Sequence, residues 1–61
     1  MNKPNPYSPK LTTVFSIYGW IPFTIFEGEE RPYMSNDYTP KAFVTKKACQ
    51  EYCDFLNNMN A

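Results

Sequence analysis

The sequence predicts an α+β domain: a small antiparallel sheet of three or four strands with one C-terminal α-helix packed on one face. Three features carry that expectation. Residues 11–18 and 21–26 alternate apolar with other side chains at the period of two that turns one side of a strand inward. Glu27-Gly28-Glu29-Glu30 is turn chemistry directly after the second run. Thr45, a favoured N-cap residue, leads straight into helix formers with an apolar stripe.

Along the chain, residues 1–10 hold Pro4, Pro6 and Pro9, which exclude a helix and a central strand, so this stretch is expected to be an extended Pro-rich arm anchored by Tyr7. Residues 11–61 form the single α+β domain. In the first run Leu11, Thr13, Phe15 and Ile17 share one face, and Thr12, Val14, Ser16 and Tyr18 the other. Gly19 interrupts the pattern as a tight connection or bulge. Ile21, Phe23 and Ile25 then stand opposite Pro22, Thr24 and Phe26, and because Pro22 has no N–H to give a ladder, this strand is expected to lie at an edge or to pair only beyond that point. A short strand over residues 31–35, a polar loop over 36–40 and a last short strand over 41–44 complete the sheet. The helix is expected from about residue 45 to 58. Its buried stripe is Ala48, Tyr52, Phe55, Leu56 and Met59, with Cys49 and Cys53 flanking it.

Length and charge narrow the function. A chain of 61 residues buries only about 60% of the surface its unfolded form exposes, which leaves little volume for a catalytic cleft. Six basic residues balance six acidic ones, so neither the basic excess of a phosphate-backbone binder nor the acidic excess of a DNA mimic is present. The longest apolar stretch, residues 20–26, is far short of the ~20 residues that span a bilayer, and no membrane partner is expected. Residues 1–6 lack the apolar core of a signal peptide. With two cysteines placed in one helix, the expected location is reducing cytoplasm.

Catalytic and metal chemistry is scarce. Histidine, the usual proton shuttle near neutral pH, is absent. Cys49 and Cys53, four apart on a helix, hold their Cβ atoms about 5–6 Å apart, too far for an unstrained disulfide. Two thiols without histidine also fall short of the roughly four ligands of a zinc site. They are expected to pack as small hydrophobes, and the alternative is a reactive thiol at Cys49 near the helix start beside Lys46 and Lys47. Glu27, Glu29 and Glu30 fit a solvated turn. No catalytic residue, no metal, no cofactor and no enzymatic activity is expected.

Aromatic side chains carry the functional signal. Five Phe, five Tyr and one Trp make 18% of the chain, more than one small core uses. With Phe15, Phe23, Phe43, Tyr52 and Phe55 assigned inward, Tyr18, Trp20, Phe26, Tyr33 and Tyr38 remain on the other face, at the edge or in loops. Tyr and Trp dominate interface hot spots. The expected site is therefore Tyr18, Trp20, Phe26 and Tyr33, rimmed by Lys46 and Lys47 as steering charges, for a protein partner or a second copy of the chain. The other reading of these aromatics is a small second core that folds back with the N-terminal arm. The alternative is a small nucleic-acid-binding module using the sheet face with Lys41, Lys46 and Lys47.

The segment Phe43-x-Thr45-Lys46-Lys47 running into Tyr52-x-x-Phe55-Leu56-Asn57 resembles the strand-to-helix ending of many small uncharacterised phage proteins, over about a quarter of the chain. That resemblance implies a small factor acting in the host cytoplasm, an inhibitor or modulator of a host enzyme. Similar sheet-plus-helix modules include the arm-binding domains of phage integrases, which lay a three-stranded sheet on DNA; this chain lacks their basic sheet face.

Overall fold

The computed structural model describes residues 6–59. Five strands precede one helix: β1 Ser8–Val14, β2 Ile17–Phe26, β3 Glu29–Pro32, β4 Met34–Asn36, β5 Thr39–Pro40 and α1 Lys46–Met59. The first three form an antiparallel sheet in the order β1-β2-β3, and β4 pairs with β5 as a second, two-stranded sheet. The α+β class and the single C-terminal helix agree with the sequence reading. Residues 1–5 of the expected arm lie outside the described residues, while Ser8, Pro9 and Lys10 belong to β1 and pair with Phe23, Pro22 and Ile21.

One expected strand is really a hairpin. Residues 11–18 do not run straight: β1 ends at Val14, Phe15 and Ser16 turn the chain, and Ile17 opens β2 opposite Val14. Both turn residues have positive φ, 50° and 67°, as a two-residue hairpin of the twist-matched kind requires. Neither is Gly, Asn or Asp, so nothing in the letters marks a turn. By contrast the β2–β3 hairpin turns on Glu27 and Gly28, with φ of 52° and 81°, where the glycine was legible.

Gly19 is not a connection. It lies inside β2, where a Cβ would sit 2.9 Å from the Phe43 carbonyl oxygen and 3.4 Å from the Ala42 Cβ. Only glycine lets that backbone approach so closely. Trp20 N–H donates to the Phe43 carbonyl at 2.9 Å and Phe43 N–H returns a bond to Trp20 at 2.8 Å. Farther along the same edge, Tyr33 N–H donates to Pro22 C=O at 2.8 Å. β2 is therefore central and not an edge, and on its β3 side the ladder runs from Phe23 onward, beyond Pro22, which is the second of the two expected placements. The expected strand over residues 41–44 reduces to the single Phe43 bridge.

The helix caps as expected: Thr45 Oγ1 accepts the Ala48 N–H at 3.2 Å. Its buried line, however, is Cys49, Cys53 and Leu56, at i, i+4 and i+7, which with Ile21 of β2 are the buried hydrophobic residues among those described. The cysteines occupy the centre of the stripe, not its flanks. Phe55 is 54% exposed and Met59 is exposed too. Small side chains let the helix settle close to β1 and β2, and the bulky residues rotate to the margin. Contacts of Tyr52 with Phe43 and of Lys46 with Trp20 put α1 on the face of β2 that carries Trp20 and Pro22. Ile21, on the opposite face, is also fully buried, and there Ala42 closes against Gly19. Among the described residues no helix is long and apolar enough to cross a membrane.

Candidate functional site

The expected site residues do not gather into one patch. Tyr18 and Phe26 stand at opposite ends of β2, eight residues apart, or roughly 26 Å at the rise of a strand. The Arg31 guanidinium lies 5.4 Å from the Phe26 ring centroid and reaches Glu29, so that end of the hairpin is wrapped in charge. Trp20 is half-buried beneath the Lys46 ammonium, 5.9 Å from its ring. Lys46 and Lys47 are both exposed at the helix start.

Tyr33 belongs to an aromatic cluster that ties the N-terminal segment to the helix. Its ring meets Tyr7 and Tyr52 edge-on, each at 5.7 Å, and Tyr52 continues to Phe43 at 5.4 Å and Phe55 at 6.0 Å. Lys41 lies 5.5 Å from the Tyr52 ring and 5.9 Å from Phe43. A hydrogen bond with Tyr33, then burial, raises the Tyr52 hydroxyl, and burial raises Tyr7. Beside the cluster Tyr7 and Asn57 make a two-bond clamp: Tyr7 N–H donates to Asn57 Oδ1 at 2.7 Å, and Asn57 Nδ2 donates to the Tyr7 carbonyl at 3.1 Å. Tyr33, half-buried, packs within this cluster beside the helix, away from Tyr18 and Phe26.

The cysteines are buried free thiols. Burial first, and then the neighbouring Cys53, push Cys49 up to about 12; burial raises Cys53 as well. A thiol held protonated is a poor nucleophile and a poor metal ligand, and among the described residues no group of three or more potential ligands assembles. The sign of the pH dependence follows. Below pH 9.0, the thiol's ordinary value, native and unfolded chains are both protonated and the full stability is present. Between there and about 12 only the unfolded chain loses the proton, so stability falls as pH rises. Urea midpoints should hold to pH 9 and drop above it, and Cys49→Ala should flatten that drop. Thiol-specific reagents should label neither cysteine in the native protein at neutral pH. Rapid native labelling, or an unaltered alkaline slope in Cys49→Ala, would contradict the packing described.

What the molecule does present is an apolar tip at the β1–β2 turn. Phe15, in the left-handed conformation, is 61% exposed, and its ring meets Tyr38 of the β4–β5 turn edge-on at 6.1 Å. Tyr38 is 75% exposed, and its turn is set by Asn36, whose Oδ1 accepts the Tyr38 N–H at 3.0 Å. Tyr18, 69% exposed, follows two residues after Ser16 on β2. Val44, next to the Phe43 bridge with Trp20, is also exposed. Sequence pattern assigned Phe15 to the core because unbroken alternation hid the turn. Had the turn been seen, a phenylalanine at its tip would have been the strongest signal in the chain. Comparison with known protein families, curated proteins and solved structures finds no match to this chain.

Proposed function

We propose that this protein is a small non-enzymatic binding module that contacts a protein partner through the aromatic tip formed by Phe15, Tyr38 and Tyr18, with Lys46 and Lys47 as steering charges. Phe15 carries the proposal. A side chain at φ 50° in a two-residue turn costs on the order of 1 kcal/mol or more, and Asn or Gly would relieve it. Its ring, mostly in water, returns little of that through burial. A residue that serves the fold in neither way is the kind of local conflict found where a contact outside the fold is made. The other sheet turn also holds a non-glycine at positive φ, Glu27 at 52°, but there the side chain is charged and solvated and Gly28 follows it, whereas at the β1–β2 turn the residue is a large apolar ring.

Tip aromatics that bury at an interface centre typically cost about 2 kcal/mol or more when truncated. The resemblance to small phage proteins makes a host enzyme the partner to seek first, in the host cytoplasm. Lysate captured on the immobilised wild-type chain at moderate salt should yield one dominant protein, and Phe15→Asn should lose it while melting at a higher temperature. If Phe15→Asn gains stability and keeps the partner, the tip is not the site. Retention of DNA or RNA, with binding that falls steeply in salt, would favour the nucleic-acid alternative through Lys41, Lys46 and Lys47.

A further inference from the structure

The two edges of the three-stranded sheet are unlike. At the β3 edge, Tyr33 N–H points inward to Pro22, so by alternation the outward positions are Glu30 and Pro32: one charged, one with no N–H. Such an edge is blunted against further pairing. At the β1 edge the parity runs the other way. Trp20 spends both backbone groups on Phe43, so its register partner Leu11 must direct its own N–H and C=O away from β2. Pro9 and Thr13, two residues either side, face outward with it. That row offers donors at Leu11 and Thr13 and acceptors at Pro9, Leu11 and Thr13, with Lys10 the single charge in the strand.

We propose that β1 pairs antiparallel with β1 of a second copy, with Leu11 opposite Thr13 and Thr12 opposite its own counterpart on the two-fold axis. The strand selects this register by itself. Leu11 and Thr13 then exchange four N–H···O bonds across the axis, and Pro9 faces residue 15, where the turn has already begun and no strand donor is required. Sliding so that Leu11 faces Leu11 keeps four bonds, because each Thr13 N–H can still donate to a Pro9 carbonyl, but it sets Lys10 against Thr12 and loses the Thr12–Thr12 pair on the axis. Sliding further brings Lys10 against Lys10, a like-charge pair directly opposite. In the proposed register Lys10 faces Val14, its ammonium already engaged by Glu30, and the two Thr12 side chains meet as a favourable cross-strand pair. A strand with an open row of donors and acceptors, one charge already paired within its own sheet and a threonine on the axis fits a second copy of itself. Because the strands run antiparallel, the six-stranded sheet holds its two aromatic tips at opposite ends, and the inference stands apart from what the tips bind.

Sedimentation equilibrium of the whole chain should show the mass rise from 7.2 kDa towards twice that value as concentration climbs from micromolar to millimolar. Thr13→Pro removes an outward donor without touching the β1–β2 ladder, so it should remain monomeric and keep its far-ultraviolet dichroism. Thr12→Lys and Thr12→Glu should each be monomeric alone, and an equimolar mixture should restore a dimer, at least tenfold tighter than either alone. This charge swap decides the matter even if Thr13→Pro fails to fold. A wild-type chain that stays monomeric to millimolar concentration, a dimer that survives Thr13→Pro, or a mixture no tighter than its components would each overturn the proposal.

Discussion

Leu56→Ala is expected to leave the domain largely unfolded at room temperature. Leu56 is only 3% exposed, and truncating such a leucine costs about 2–5 kcal/mol. A chain of 61 residues has roughly 3–9 kcal/mol in total at the usual stability per residue. Phe55→Ala, one position earlier, should behave differently. The sequence pattern gives both residues the same burial and the same loss, but Phe55 is half in solvent and touches only the rim of the cluster through Tyr52. Its truncation should lower the melting temperature while leaving a cooperative transition. Thermal melts of the two variants side by side check this: equal losses would mean that the helix is rotated from the orientation described.

Gly19→Ala should be nearly as damaging, by a different route. The added methyl carbon would stand 2.9 Å from a backbone oxygen, and backbone cannot swing aside as the end of a side chain can. Either β2 or the Phe43 segment must move, and both bonds of the Trp20–Phe43 bridge depend on that spacing. Overpacking of this kind typically costs about 1–3 kcal/mol. Gly28→Ala would also be strained, by its φ of 81°, but meets open space and lies in an exposed turn. Urea denaturation should therefore rank Gly19→Ala well below Gly28→Ala; the reverse order would show that the bridge contributes little.

The helix, its Thr45 cap and the Glu27-Gly28 turn were legible because each is signalled within a few residues. The helix's rotation was not. Counting large apolar side chains weights Phe55 and Met59 over Cys49 and Cys53, whereas the sheet selects whatever is small enough to let the backbones approach. Gly19 read as punctuation for a related reason: a close approach and a chain break ask for the same residue. The Phe15–Ser16 turn left no trace, since its residues continue the alternation on both sides. As for the site, Tyr18 and Trp20 lie towards the tip end of β2, with Lys46 over Trp20, but Phe26 belongs to the far hairpin and Tyr33 to the aromatic cluster with Tyr7 and Tyr52. Those separations depend on strand length and register, which the aromatic count does not contain.

The clamp between Tyr7 and Asn57 joins positions fifty residues apart, so it encloses nearly the whole chain in one loop. The hairpins around residues 15 and 27 need close only two-residue loops, and closure entropy grows by about 0.6 kcal/mol with each doubling of loop length. The clamp is thus expected to zip last on the way to the native state and to open first on the way out. Asn57→Ala should then hasten unfolding while scarcely altering the refolding rate. The same geometry brings Tyr7 and Asn57, near the two limits of the described residues, side by side. A circular permutant, joined across that gap by a flexible linker and opened between Glu27 and Gly28, has what it needs to reach the same structure from a different starting residue.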